Sequence, residues 1–164
     1  MKAQITDPNA PQATHIWAFH VTEAVPPIYW DSSLARNAQD WADQLACMPW
    51  RTIDHGNHDG QGQNIAWIGG SSSIDYASER VVATQIEGWW AEANDVRLDD
   101  LRRFTTNSVN GKDIGHFTQM AWAKTTKVGC GISLQKNGGD TAMVCAYRVS
   151  QQILDSWLVG TSCT

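Results

Sequence analysis

Gly115-His116-Phe117-Thr118-Gln119-Met120-Ala121-Trp122 sets one imidazole in a run of bulky apolar residues, and Val128-Gly129-Cys130-Gly131 follows at short range. A histidine in such surroundings is costly unless its ring nitrogens find hydrogen-bond partners. His116 therefore needs company, and the neighbouring segments offer candidates.

Working outward, two strands are predicted after the octapeptide, at about Lys127–Leu134 and Ala142–Val149, joined by an Asn137-Gly138-Gly139 turn. Cys130 and Cys145 come together on that hairpin, so a disulfide between them is geometrically cheap. Cys47 is then left for Cys163. Four buried thiols are the alternative reading of the same residues. No Cys-x-x-Cys pair points to a zinc ribbon or a redox motif.

Upstream of the octapeptide, residues 94–114 are polar and charge-dense from Asp95 to Arg103, which predicts a long surface loop. Before it a helix is predicted from Ser72, where Ser72-x-x-Asp75 resembles a capping box. Its apolar stripe runs through Ile74, Ala77, Val81, Ile86, Trp89 and Ala93. Glu92 lies on the side of Trp89, an odd place for a carboxylate without a partner. Residues 51–72 read as loop, with short extended pieces near Thr52–His55 and Asn64–Ile68. A cleanly amphipathic helix carries Leu34, Ala38, Trp41 and Leu45 behind a cap at Asp31 or Ser32. A further helix from Thr14, striped by Trp17, Val21 and Ala24, stops at Pro26-Pro27. Residues 1–12 read as a loose arm. Helices first and an antiparallel hairpin last predict an α+β chain.

The bulk properties narrow the function. A length of 164 residues suits a single domain with its own core. Net charge of −5, with no run of Lys or Arg, argues against a nucleic-acid partner. No apolar stretch approaches a membrane span. No signal peptide is visible, which also fits a mature secreted chain started from an added Met1. An even number of widely spaced cysteines suits an oxidising compartment. Nine tryptophans imply aromatic slabs in the core or an aromatic surface for a ligand.

The octapeptide resembles the Gly-His-[Phe/Tyr]-Thr-Gln-x-x-Trp signature of the CAP superfamily, the cysteine-rich secretory, antigen 5 and pathogenesis-related proteins. Gly129-Cys130 stands where that family has its own Gly-Cys. Val144-Cys145-Ala146-Tyr147 resembles its Cys-Asn-Tyr segment, with Ala for Asn. Tyr29-Trp30-Asp31 and the Ala-rich helix resemble its Trp-Asp and Ala-x-x-Trp-Ala run, and Gly62-Gln63-Asn64-Ile65-Ala66-Trp67 its Gly-Glu-Asn-Leu-Ala-Trp. The matches run in family order from about residue 15 to 150. The resemblance implies a three-layer α-β-α sandwich with a central antiparallel sheet, secreted and disulfide-bonded.

It also implies a central cleft of two histidines and two acids. By position these are His116, Glu92 from Trp89-x-x-Glu92, and His55, with His58 as second choice; Gln63 stands in place of the remaining acid, and Gly56 where Ser often follows the first histidine. Two imidazoles and a carboxylate make a divalent-metal site, with zinc first by ligand type. A polar cluster that orders the cleft and binds nothing is the alternative. Gln63 cannot ionise, so one negative charge that would offset a dication is missing. A nucleophilic scheme lacks its residue, because Gly56 removes the obvious candidate and Ser108 is remote. The expected function is a secreted, non-enzymatic protein binding small hydrophobic ligands, with sterols or fatty acids as the classes the resemblance supplies. Its rivals are a metal-dependent hydrolase or peptidase centred on His55, Glu92 and His116, and an effector- or allergen-like factor acting on a protein receptor through the 94–114 loop.

Overall fold

The computed structural model describes residues 27–49, 51–56, 60–69, 78–97, 104–135 and 140–148. In chain order the elements are β1 (Tyr29–Trp30), α1 (Ser32–Cys47), β2 (Gln61–Gly69), α2 (Glu79–Ala91) and a 3₁₀ turn at Glu92–Asp95. Then come β3 (Ser108–Val109), β4 (Lys112–Asp113), α3 (Gly115–Ala121), β5 (Lys127–Leu134) and β6 (Asp140–Arg148). The main sheet has the order β1-β5-β6-β2, and β3 with β4 forms a separate small hairpin.

α1 is the predicted amphipathic helix. Asp31 caps it: Oδ1 accepts from the Ser33 amide at 2.9 Å, the Leu34 amide at 3.2 Å and the Ser33 hydroxyl at 2.6 Å. Those bonds, with Lys127 Nζ donating at 3.1 Å to the other oxygen, hold the Asp31 carboxyl well below the usual range. The stripe Leu34, Ala38, Trp41, Ala42 and Leu45 then buries against Ile65, Ala142, Val144 and Ala146 of the sheet. The helix lies almost on the β5 backbone. A Cβ on Gly129 would stand 2.1 Å from the Ala35 nitrogen, and one on Gly131 2.3 Å from the Gln39 Cα. Only hydrogen at those two positions permits the approach. Gln39 uses it, donating to the Ile132 carbonyl at 2.8 Å and accepting from the Ile132 amide at 3.0 Å.

The opposite face of the sheet carries Ile68, Met143, Cys145 and Tyr147, packed against Trp89 of α2. The helix–sheet–helix layering matches the expected α+β sandwich. Cys130 and Cys145 are directly opposed in the β5–β6 register and are joined as a disulfide. Cys47 is half-buried, and its expected partner Cys163 lies outside the described residues.

Several details differ from expectation. The sheet is antiparallel through β5, β6 and β2, but β1 joins β5 in parallel, with Tyr29 opposite Lys127. Two residues carry too little periodicity to announce a strand; the pairing comes from tertiary contact. The piece near Thr52–His55 is not a strand, and the Trp41 and Trp67 indoles instead donate to the Asp54 and Thr52 carbonyls at 2.9 and 2.8 Å. The strand near Asn64–Ile68 is longer, from Gln61 to Gly69, and the last strand begins at Asp140. Residues 94–114 are not all loop: Val96 and Ile114 are buried with Ala93 and Phe117 in a third apolar cluster. α2 ends at Ala91, so Ala93 belongs to the 3₁₀ turn. The predicted helix from Thr14, the capping box at Ser72 and the turn at Asn137 lie outside the described residues.

Candidate functional site

The octapeptide folds as α3, a helix of 7 residues whose Ncap residue, Ile114, makes no side-chain cap. Its first turn therefore leaves amide donors to be satisfied from elsewhere. Glu92, carried over from the end of α2, does so: Oε2 accepts from the Phe117 amide at 3.0 Å. Its other oxygen, Oε1, lies 2.6 Å from His116 Nδ1. The carboxylate accepts, so Nδ1 carries a proton, and in that tautomer Nε2 is the nitrogen with the lone pair. The ring also stacks on Trp89, with centroids 5.4 Å apart and planes within 15°. Glu92 on the Trp89 side thus has the partner that its position demanded.

The backbone of α3 is tied to the sheet. Asn64 Nδ2 donates at 3.2 Å to the His116 carbonyl and at 3.2 Å to the Tyr147 hydroxyl. Burial pushes the Tyr147 phenol well above its ordinary pKa, so it stays neutral. Gln119 is buried against Gly62, where a Cβ would meet its Oε1 at 2.0 Å. Gly62 and Asn64 of the Gly-Gln-Asn segment are thereby explained by contact with α3. Asn64, Tyr147 and Gln119 were not singled out as site residues from sequence; all three lie inside the motifs quoted above, which was the available signal.

His55 arrives on the loop before β2. It is exposed, yet desolvation first and the nearby His116 second push its pKa below the ordinary 6.5, against opposing pulls from a Gln63 hydrogen bond and the Asp54 charge. The next residue, Gly56, has no room for a side chain, since a Cβ would stand 2.6 Å from the Trp41 ring. Gln63 is 5% exposed, and its Oε1 accepts from the Gly56 amide at 2.8 Å. Its Nε2 is buried without a partner. Exchanging the amide's oxygen and nitrogen would set donor against donor at Gly56, so the orphaned group is the N–H₂. A buried donor left unmade costs roughly 1–3 kcal/mol. His58 lies outside the described residues.

These positions decide what the cleft can hold. His116 and Gln63 each act on His55, while each oxygen of Glu92 already accepts one hydrogen bond. Glu92 orients His116 through one of these bonds. Among the described residues no three His, Cys, Asp or Glu side chains converge as a metal site. Two imidazoles fall short of the three or four protein ligands of a zinc centre, so the residues described do not fit the ion. Nor is either imidazole, among the described residues, hydrogen-bonded to a Ser, Thr or Cys that could act as nucleophile.

A sheet sandwiched between helices, with a glutamate–histidine pair bridging the two helices of one face, defines a CAP-type protein. The chain belongs to the cysteine-rich secretory protein (CAP) family, whose model matches residues 22–147. It is 33% identical over 116 residues to "Venom allergen 5" of Brachyponera chinensis, covering 66% of this chain and 52% of that protein. It is 31% identical over 123 residues to "Pathogenesis-related protein 1C" of Nicotiana tabacum, covering 75% and 64%. Among solved structures, BmVAL-1 superposes with a TM-score of 0.63 at 27% identity, over 77% of this chain and 61% of that one. NaASP2, solved with Zn²⁺, superposes at 0.51 and 22% identity over 75% and 60%, a likeness of fold alone. The chain spans a little over half the length of the venom allergens it matches.

Proposed function

We propose that this chain is a secreted CAP protein that acts by binding and not by catalysis, and that it takes a small hydrophobic ligand of the sterol or fatty-acid class. The supporting observation is an apolar floor on the α2 side of the sheet that is incompletely covered among the described residues. Val81, Val82 and Ile86 of α2 and Ala66, Val128 and Ile132 of the sheet all stay half-buried around Ile68, Met143 and Tyr147. Side chains that have a closed core available normally reach full burial; a floor left half-wet suits an apolar guest. The Cys130–Cys145 disulfide supports an extracellular location, because such bonds persist in oxidising compartments. The test is saturable binding of tritiated cholesterol or a fluorescent fatty acid to delipidated protein, weakened about tenfold by Ile86→Glu. A folded, monodisperse chain that binds neither sinks the reading.

One observation favours a second reading. Glu92 fixes the Nδ1–H tautomer of His116 and leaves Nε2 basic, which is how a general base is prepared. A hydrolase built on that pair predicts turnover that disappears in His116→Ala. Turnover that survives the change would belong to a contaminant.

A further inference from the structure

We propose that residues 51–56 form an open strand edge that takes an extended peptide from a basic partner, apolar at its centre with lysine or arginine on either side. The segment is not a rung of the sheet, yet it keeps pace with β2 in the antiparallel sense. The Arg51 guanidinium lies over Gly69, the Thr52 carbonyl meets Trp67, and the Gly56 amide meets Gln63. The steps from Thr52 to Gly56 equal in number those from Trp67 back to Gln63, a pace that only extended backbone keeps beside a strand. Exposure alternates to match: Arg51, Ile53 and His55 are exposed, while Thr52, Asp54 and Gly56 are half-buried.

Side chains pin the inward edge of this segment. The Trp67 and Trp41 indoles donate to the Thr52 and Asp54 carbonyls at 2.8 and 2.9 Å, and the Gly56 amide donates to Gln63 Oε1 at 2.8 Å. In extended backbone the N–H and C=O of one residue point to the same side, and the side alternates along the chain. Those of Ile53 and His55 therefore face outward, and among the described residues they have no hydrogen-bond partner. The Ile53 side chain is 66% exposed. Strand edges are ordinarily blunted by lysine, proline or a covering loop; here isoleucine stands at the centre, and a pairing chain would gain main-chain bonds and an apolar contact together.

Charge selects the occupant. Asp54 is half-buried, and among the described residues no lysine or arginine pairs with its carboxylate. With an apolar residue opposite Ile53, the next residue of the incoming strand stands on the Asp54 side, where a cation fits. The net charge of −5 also favours a basic partner. A second copy of the chain fits poorly. It brings the same net charge, and a contact limited to Arg51, Ile53 and His55 falls short of the roughly 800 Å² per partner of a stable interface.

The test is ¹H–¹⁵N spectra and amide hydrogen exchange of the full chain, titrated with the peptide acetyl-Ser-Thr-Lys-Val-Lys-Thr-Ser-amide. Saturable binding with Kd below about 1 mM is expected, with the Ile53 and His55 amides slowed in exchange. Methylating the valine nitrogen should abolish binding, as should glutamate in place of both lysines. Asp54→Asn should weaken the lysine peptide about tenfold. Binding that survives N-methylation, leaves the two amides unslowed, or is equal for the glutamate peptide or for Asp54→Asn overturns the proposal. So does a folded chain that shows no saturation below that limit. Ile53 and His55 amides already protected without peptide overturn it as well, whether at every dilution, which marks another segment of this chain, or only at high concentration, which marks a second copy.

Discussion

The two faces of the sheet are built on opposite terms. On the α1 face helix and strand touch backbone to backbone: Gly129 and Gly131 admit α1, Gln39 ties off the Ile132 amide and carbonyl, and Leu34, Ala38 and Leu45 are fully buried. On the α2–α3 face the apolar side chains of α2 are mostly half-buried, and the polar groups are joined in a chain of unequal bonds around His116 and Asn64. The first face is a place where nothing can be inserted. The second keeps lone pairs and apolar surface in reach of a visitor, at some cost to stability.

The largest expected effect breaks the first face. Gly129→Val places a branched side chain where a single Cβ already stands 2.1 Å from the Ala35 backbone nitrogen and 2.6 Å from the Asp31 carbonyl oxygen. Backbone cannot rotate out of the way as a side-chain tip can, so α1 must lift from β5. Overpacking costs up to about 3 kcal/mol where side chains give way, and this site should reach or exceed that. Urea unfolding would measure it, and a loss under about 1 kcal/mol would mean that the helix–sheet contact is softer than argued.

A smaller effect is expected on the second face. Glu92→Gln keeps the shape but replaces one accepting oxygen with an N–H₂. Either His116 Nδ1–H or the Phe117 amide then faces a donor. With one charge-assisted bond gone, the loss should be about 2 kcal/mol. The His116 ring should also lose its fixed tautomer, which ¹⁵N chemical shifts of the imidazole report. An unchanged tautomer would show that Trp89 stacking alone holds the ring.

How far each face could be read from sequence follows from the same contrast. α1 was legible because its stripe keeps strict helical spacing and Asp31 stands just before it. The β5–β6 hairpin was legible because a turn and a cysteine pair mark it. Glu92 was legible because a carboxylate beside Trp89 demanded a partner. What escaped was set by long-range contact. Tyr29–Trp30 becomes a strand only because the Thr126 and Val128 carbonyls receive the Tyr29 and Asp31 amides. Gly129 and Gly131 announce closeness, but not that α1 is what comes close. Val96 and Ile114 sit in a segment whose charge suggested exposure, and they are buried because Phe117 and Ala93 offer them a pocket. The Gln63 substitution was visible as a missing charge. The orphaned donor it leaves was not, since only the Gly56 contact fixes which end of the amide is free.

The smallest effect separates the faces by pH. His55 lies near His116, and although its side chain is exposed, its folded pKa lies below 6.5, chiefly through desolvation and then through His116. Above about pH 6.5 both folded and unfolded chains hold it neutral, and it contributes nothing pH-dependent. As pH falls through 6.5 the unfolded chain takes up the proton first, so stability declines until the folded pKa is passed, and then levels. Asp31 belongs to α1, and its folded pKa is depressed from 3.8 by the cap and Lys127. The stability it contributes is complete above that value and is lost only as pH falls below it. Acid should therefore weaken the protein in two stages, first from the cleft and later from the cap. Urea midpoints measured from about pH 8 down to about pH 3 should show both. His55→Asn should flatten the upper stage alone, and Asp31→Asn should reduce the lower alone, where Asp140, held down by Arg51, also contributes. If His55→Asn leaves the upper stage unchanged, the loss near pH 6 belongs to other histidines, and the cleft is wetter than its geometry implies.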